Sequence, residues 1–126
     1  MKETKSIEDY LEAIYLLSKE KDKVRVKDIA NFLSVKPPSV TGALKKLALY
    51  GYIEHLPYRG IILKPKGEKI GKSTWEKHKL IFIFLNDVLK VSKEKAYKEA
   101  CLIEHCISNE TKVKIEKFLE KLKKKK

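Results

Sequence analysis

The sequence predicts a mainly α-helical chain in two parts, a winged helix-turn-helix over residues 1–64 and a second helical domain over residues 65–126. Three observations predict it. Apolar residues recur at helical spacing through most of the chain. One short stretch between Gly51 and Pro65 reads instead as two strands about a Pro57-Tyr58-Arg59-Gly60 turn. In the second half, Leu80 to Leu85 is apolar around every side of a helix.

Ser6 is placed to cap a first helix, with Glu8 and Asp9 in its first turn and Ile7, Tyr10, Leu11, Ile14 and Leu17 on its apolar stripe, running to about Lys19. Ile29, Ala30, Phe32 and Leu33 mark a short second helix over Lys27 to Leu33, broken by Ser34-Val35-Lys36. Pro37 and Pro38 fit the first turn of a third helix, where missing N–H groups cost little; Val40, Ala43, Leu44 and Leu47 form its buried stripe and Gly51 ends it. Tyr52 to Leu56 and Ile61 to Leu63 then pair as a hairpin with a polar tip. Pro65 opens a long helix from about Lys66 to Leu89. Ser92 caps the next, through about Ile107, and Asn109 caps the last, from Glu110 to about Leu122. A chain this short has little core with which to surround Leu80 to Leu85, so a homodimer is expected through the 75–89 helix region, making the second part an α-helical dimerisation domain. Lys64 to Gly67 marks the boundary.

The 126 residues carry 29 Lys+Arg against 17 Asp+Glu, a formal net charge of +12, and 43% are apolar. No run of about 18 uncharged apolar residues is present, so no membrane span is expected. The polar start from Met1 to Ile7 has no apolar stretch behind it, and the cytoplasm is the expected location. Cys101 and Cys106, five apart, point about 140° away from each other on a helix, which argues against a disulfide framework; Cys106 is expected to pack. The abundant lysine and isoleucine and the absence of glutamine resemble a heat-adapted composition. Lys121 and Lys123 to Lys126 are expected to fray as a solvated tail.

A basic chain with a helix-turn-helix points to a polyanion partner, and the third helix is the element that would enter a major groove. Pro37, Pro38, Ser39, Thr41 and Gly42 are the candidates for base edges: two hydroxyls, with close apolar contact suited to thymine methyls. Lys36, Lys45 and Lys46 are candidates for phosphates, and Tyr58 and Arg59 at the hairpin tip for phosphate or the adjacent minor groove.

A second constellation has metal-ligand chemistry. Asp9 and Glu12, three apart, project from one face of the first helix. Cys101, Glu104 and His105 fall at about 0°, 300° and 40° around a helix axis, bringing thiolate, carboxylate and imidazole onto one face. Such groups are costly to bury on an apolar surface without a cation, although an ion-pair cluster with nearby lysines has the same spacing. His78 is the remaining candidate.

Ser6-Ile7-Glu8-Asp9-Tyr10-Leu11-Glu12-Ala13-Ile14-Tyr15, Val26-Lys27-Asp28-Ile29-Ala30, Pro38-Ser39-Val40-Thr41, Leu63-Lys64-Pro65-Lys66-Gly67 and Glu99-Ala100-Cys101-Leu102-Ile103-Glu104-His105 resemble the diphtheria toxin repressor family of metal-dependent transcriptional regulators, in particular its short manganese-transport branch without the SH3-like domain. The resemblance implies metal ligands at Asp9, Glu12, His78, Cys101, Glu104 and His105. It also implies a mixture of branches: Cys101 stands where the manganese branch has Glu, whereas Asp9 stands where the iron branch has Met. The iron branch's ancillary site keeps only His78, with Phe82 and Tyr97 at the positions of its Glu and second His. Carboxylates favour Mn(II) and the thiolate shifts preference toward Fe(II), Co(II) or Zn(II). The expected function is a homodimeric, metal-activated repressor of metal-homeostasis genes. It would bind a double-stranded DNA operator and respond to Mn(II) or Fe(II), with no enzymatic activity and no small organic substrate. The competing expectation is a metal-independent winged-helix DNA-binding protein with a vestigial metal site.

Overall fold

The structure is a computed structural model that describes residues 4–124. The expected polar start at Met1 to Glu3 and the last two lysines of the tail lie outside the described residues. Two compact units divide between Ser73 and Thr74. No helix among the described residues is long and apolar enough to cross a membrane.

The first unit opens with α1 (Lys5–Glu20). Its cap is Thr4, not Ser6: the Thr4 Oγ1 accepts from the Ile7 N–H at 3.2 Å, so Ser6 lies within the first turn. Leu11, Ile14 and Leu17 face the core from one stripe. The second helix, α2 (Val26–Leu33), ends on Ser34 in the left-handed region at φ 57°, and the Val35 N–H closes the end on the Ala30 carbonyl at 3.0 Å. Next, α3 (Pro37–Leu49) carries both prolines in its first turn. It ends in the same way, with Gly51 at φ +84° and the Tyr52 N–H donating to the Leu47 carbonyl at 3.0 Å. Strands β1 (Ile53–Leu56) and β2 (Gly60–Leu63) pair antiparallel, Ile53 opposite Leu63 and Leu56 opposite Gly60, and Val24 adds a parallel bridge to Gly60. Leu11, Ile14, Ile29, Val40, Leu47 and Ile53 form the inaccessible centre. The arrangement is a winged helix-turn-helix, as the spacing predicts.

The long helix α4 (Pro65–Ile83) starts inside this unit. A methyl group at Gly67 would overlap the Tyr52 carbonyl oxygen, and one at Gly71 would overlap that of Leu11. These backbone approaches bind the first two turns of α4 to the core, and the compact unit extends past the expected boundary at Lys64 to Gly67.

In the second unit the expected helix to Leu89 does not run unbroken. From Phe84 to Val88 the backbone widens into a π-turn, with the Leu89 N–H on the Phe84 carbonyl at 3.1 Å. The Asn86 amide then donates to the Val91 carbonyl at 2.9 Å, and Lys90 takes φ 65°. Ser92 caps α5 (Lys93–Ile103), which ends four residues before the expected Ile107. The chain tightens after Ile103, and the Cys106 N–H reaches the Ile103 carbonyl at 2.8 Å. The last helix, α6 (Asn109–Lys124), is capped by Ser108 rather than Asn109, the Ser108 Oγ accepting from the Thr111 N–H at 3.2 Å. It is tied to α4 by Lys112 on Glu76 at 2.9 Å, and Lys77 donates to the Ile107 carbonyl at 3.1 Å. Ile81 is buried and Phe84 meets Phe118 edge-on, while Ile83 and Leu89 remain exposed, so the apolar run is only partly covered within one chain.

Two consequences follow for stability. Gly67→Ala should destabilise the first unit by about 2 kcal/mol or more, since backbone rather than a side chain must yield; chemical denaturation followed by circular dichroism measures this. Asp28 accepts the Arg25 N–H at 2.9 Å and pairs with Lys21 at 3.0 Å, and the backbone hydrogen bond, against some desolvation, holds its carboxyl below the ordinary value of 3.8. Its stabilisation is therefore present above that value and fades as pH falls through the depressed one. Asp28→Asn should lose about 1 kcal/mol near neutrality, and denaturation across an acid titration should show the gap to the parent closing below pH 3.8.

Candidate metal centre and nucleic-acid interface

Three of the predicted metal ligands converge within the second unit. His78, one turn before the apolar end of α4, and Cys101, in the last turns of α5, bring Nδ1 and Sγ to 3.7 Å. Glu104 closes α5 and places Oε2 3.5 Å from His78 Nδ1. Imidazole nitrogen, thiol sulfur and carboxylate oxygen all lie within 4.8 Å of one another. His105 Nε2 lies 3.6 Å from Glu104 Oε1. Since α5 ends at Ile103, His105 stands in the turn beyond it, and the predicted common helical face is completed by a tightened turn instead of a continued helix.

The electrostatics of this cluster are unbalanced. The Glu104 side chain is 1% exposed, and its Oε2 has no hydrogen-bond donor among the described residues. His78 Nδ1 is near, but does not make a well-formed hydrogen bond to it. A carboxylate oxygen sealed in this way is costly unless something positive shares the space. A divalent cation fits: the donors are of ligand type and close enough to share one ion, and the orphan oxygen would be satisfied by it.

Aromatic rings fix the other side of His78. Trp75 stacks on it at 5.5 Å between centroids, Phe82 lies parallel at 6.5 Å and Tyr97 meets it edge-on at 4.9 Å. Phe82 and Tyr97 thus serve as walls beside the imidazole. The spacing of four between Tyr97 and Cys101 puts the two on one face of α5.

In the first unit, Asp9 and Glu12 are both half-buried on α1, and Asp9 pairs with Lys5 at 3.0 Å. The predicted groove-reading residues are all exposed: Lys36 at the cap of α3, Pro37, Pro38, Ser39, Thr41 and Gly42 along its start, and Lys45 and Lys46 further on. Around Gly42 nothing lies within 4 Å of a would-be Cβ, leaving room for close approach. The Thr41 hydroxyl donates to the Pro37 carbonyl at 3.2 Å, so it faces outward as an acceptor. Tyr58, 90% exposed, and Arg59 form the wing tip. His55 is exposed on β1. Cys106 is exposed rather than packed, because the turn after Ile103 carries it off the helix face; both cysteines are free.

Comparison with known proteins agrees with this division of roles. Residues 2–61 match the N-terminal DNA binding domain of the iron dependent repressors, and residues 64–126 match their metal binding and dimerisation domain. An uncharacterized HTH-type transcriptional regulator of Methanocaldococcus jannaschii, MJ0568, is 42% identical over 121 residues, which cover 95% of this chain and 97% of that protein. The HTH-type transcriptional regulator MntR of Bacillus pumilus is 47% identical over 105 residues, 83% of this chain and 72% of that protein. Among solved structures, the manganese regulator SloR superposes with a TM-score of 0.81 at 35% identity over 95% of this chain, and IdeR of T. acidophilum with 0.76 at 28% over 94%. The chain spans 55% of the length of each of these two solved proteins. With a DNA-binding unit and a metal-binding unit both matched along nearly its whole length, this chain belongs to the iron-dependent repressor family of metal-dependent transcriptional regulators.

Proposed function

We propose that the chain is a metal-activated repressor that acts as a cytoplasmic homodimer on a double-stranded DNA operator of metal-homeostasis genes, with Mn(II) or Fe(II) as its signal. The observation that carries this reading is the convergence of His78, Cys101 and Glu104 around a carboxylate oxygen without a donor. We assign His105, and Asp9 and Glu12 of α1, to the same ligand set. A divalent cation would supply positive charge beside the buried Glu104 carboxylate and take the Cys101 sulfur as a donor. His78 is held for the task by its aromatic walls, so its Nδ1 is presented with little freedom to lose.

Ligands drawn from both the DNA-binding and the dimerisation parts make the separation of two recognition helices responsive to metal. Half-sites on DNA lie about 34–36 Å or a multiple apart, and removing domain arrangements that cannot span them raises affinity without any contact between metal and DNA. On this reading α3 enters the major groove with Pro37, Pro38, Ser39, Thr41 and Gly42 at base edges, and Lys36, Lys45, Lys46, Tyr58 and Arg59 meet the backbone. The partly exposed apolar surface of the 75–89 region, Ile83 and Leu89 included, supports a second copy as its cover. Nothing in the proposal requires catalysis or a small organic substrate.

The test is a calorimetric titration of metal-free protein with Mn(II), anaerobic Fe(II), Co(II) and Zn(II), alongside DNA affinity on a duplex selected from a random library by the metal-loaded protein. Metal should tighten DNA binding at least tenfold, and DNA should tighten metal binding by the same factor. DNA affinity unchanged by every metal would leave a metal-independent DNA-binding protein instead. Glu104→Gln should show opposite signs in two assays: stability of the metal-free protein rises by about 1 kcal/mol as the orphan charge is removed, while the shift in Tm on adding Mn(II) disappears. Cys101→Glu should move the ranking toward Mn(II) and away from Zn(II), because a hard oxygen replaces a soft sulfur.

A further inference from the structure

The segment before α2 is bound to the wing. The Ile61 N–H donates to the Val24 carbonyl at 2.9 Å, Val24 bridges Gly60 in parallel, and Gly60 sits at φ +75°, where a side chain would overlap the Val24 carbonyl and meet the Lys23 stem. Val24 is 3% exposed and points into the core. In extended backbone its two neighbours point the other way. Lys23 and Arg25 are therefore held outward beside the base of the wing.

The charges here are not neutralised from within. Lys21 is spent on Asp28, but Lys23, Arg25 and Arg59 have no carboxylate partner within 4.0 Å among the described residues. An open groove between this segment and the wing is lined by Lys19, Lys21, Lys23 and Arg59 against two carboxylates, Asp22 and Glu68. None of these residues belongs to α3. We propose that Lys23 and Arg25, locked along the wing, form with Arg59 a second line of cations that binds the sugar-phosphate backbone of duplex DNA outside the groove read by α3. This rests on the reading of the chain as a DNA-binding regulator. Such contacts carry affinity and orientation rather than sequence preference.

The test uses the full chain with saturating Mn(II) and a mixed-sequence 30-base-pair duplex, whose binding is followed by anisotropy across a salt series. Each phosphate contact contributes about 0.9 to the slope of log K against log salt. Lys23→Gln keeps the methylene stem that lies against Gly60 and removes only the charge. It should lower the slope by about 0.9 and weaken binding several-fold, and Lys23→Arg should restore both; Arg25→Gln should behave like Lys23→Gln. Lys72→Gln, an exposed α4 residue, should change nothing. Parental slopes in Lys23→Gln and Arg25→Gln with a reduced slope in Arg59→Gln would overturn the second line while leaving DNA binding intact. Absence of binding by the parent itself would overturn the DNA-binding reading and this proposal together. Circular dichroism of each variant separates a lost contact from a lost fold.

Discussion

A buried carboxylate oxygen, Glu104 Oε2, with no hydrogen-bond donor among the described residues is the constraint around which the second unit is arranged. Two lysines of the second unit are engaged elsewhere, Lys77 on the Ile107 carbonyl and Lys112 on Glu76. What faces Glu104 is the imidazole of His78, the thiol of Cys101 and the imidazole of His105, all groups of ligand type. A cation held here, as proposed, would offset the cost of this arrangement and so couple occupancy to stability. Sulfur, imidazole and carboxylate donors would give the proposed site a mixed preference, softer than an all-oxygen cage and harder than a cysteine cluster.

The first unit solves a different problem, keeping a small set of side chains exposed at the start of α3. Two helix ends with the same closing geometry bracket it: one at Ser34, in a conformation usually left to glycine, and one at Gly51. Between them the prolines fix the entry of α3 and the core stripe of Val40, Leu44 and Leu47 fixes its rotation. Gly42 and Ser39 are left on the outer face with nothing packed over Gly42.

Much of this was legible in the sequence. The apolar stripes gave the helices, the Pro57 to Gly60 turn gave the wing, and five separated motifs gave the likeness to metal-dependent regulators. Most of the differences at helix ends share one cause, competition among local hydrogen bonds that periodicity does not register. Thr4 and Ser108 take the capping roles expected of Ser6 and Asn109, because a hydroxyl one or two residues earlier reaches the free N–H groups better. The long helix gives way to a π-turn because the Asn86 amide engages the Val91 carbonyl and Lys90 adopts a left-handed backbone. The end of α5 at Ile103 follows from the same kind of tightening, which carries Cys106 into solvent while Glu104 stays inside. Backbone approaches through Gly67 and Gly71 leave no hydropathy trace, and with them the extent of the first unit is written in atoms that sequence patterns do not count.

The stacking of Trp75 on His78 has an optical consequence. Trp75 is the chain's sole tryptophan, and its indole lies 5.5 Å from an imidazole whose nitrogen faces the proposed cation. Ligation of that imidazole would change the electron demand of the neighbouring ring, and the protein's tryptophan emission originates entirely beside the proposed site. On the proposed reading the molecule carries its own indicator dye, and stopped-flow emission would time the arrival of metal at His78 without any label.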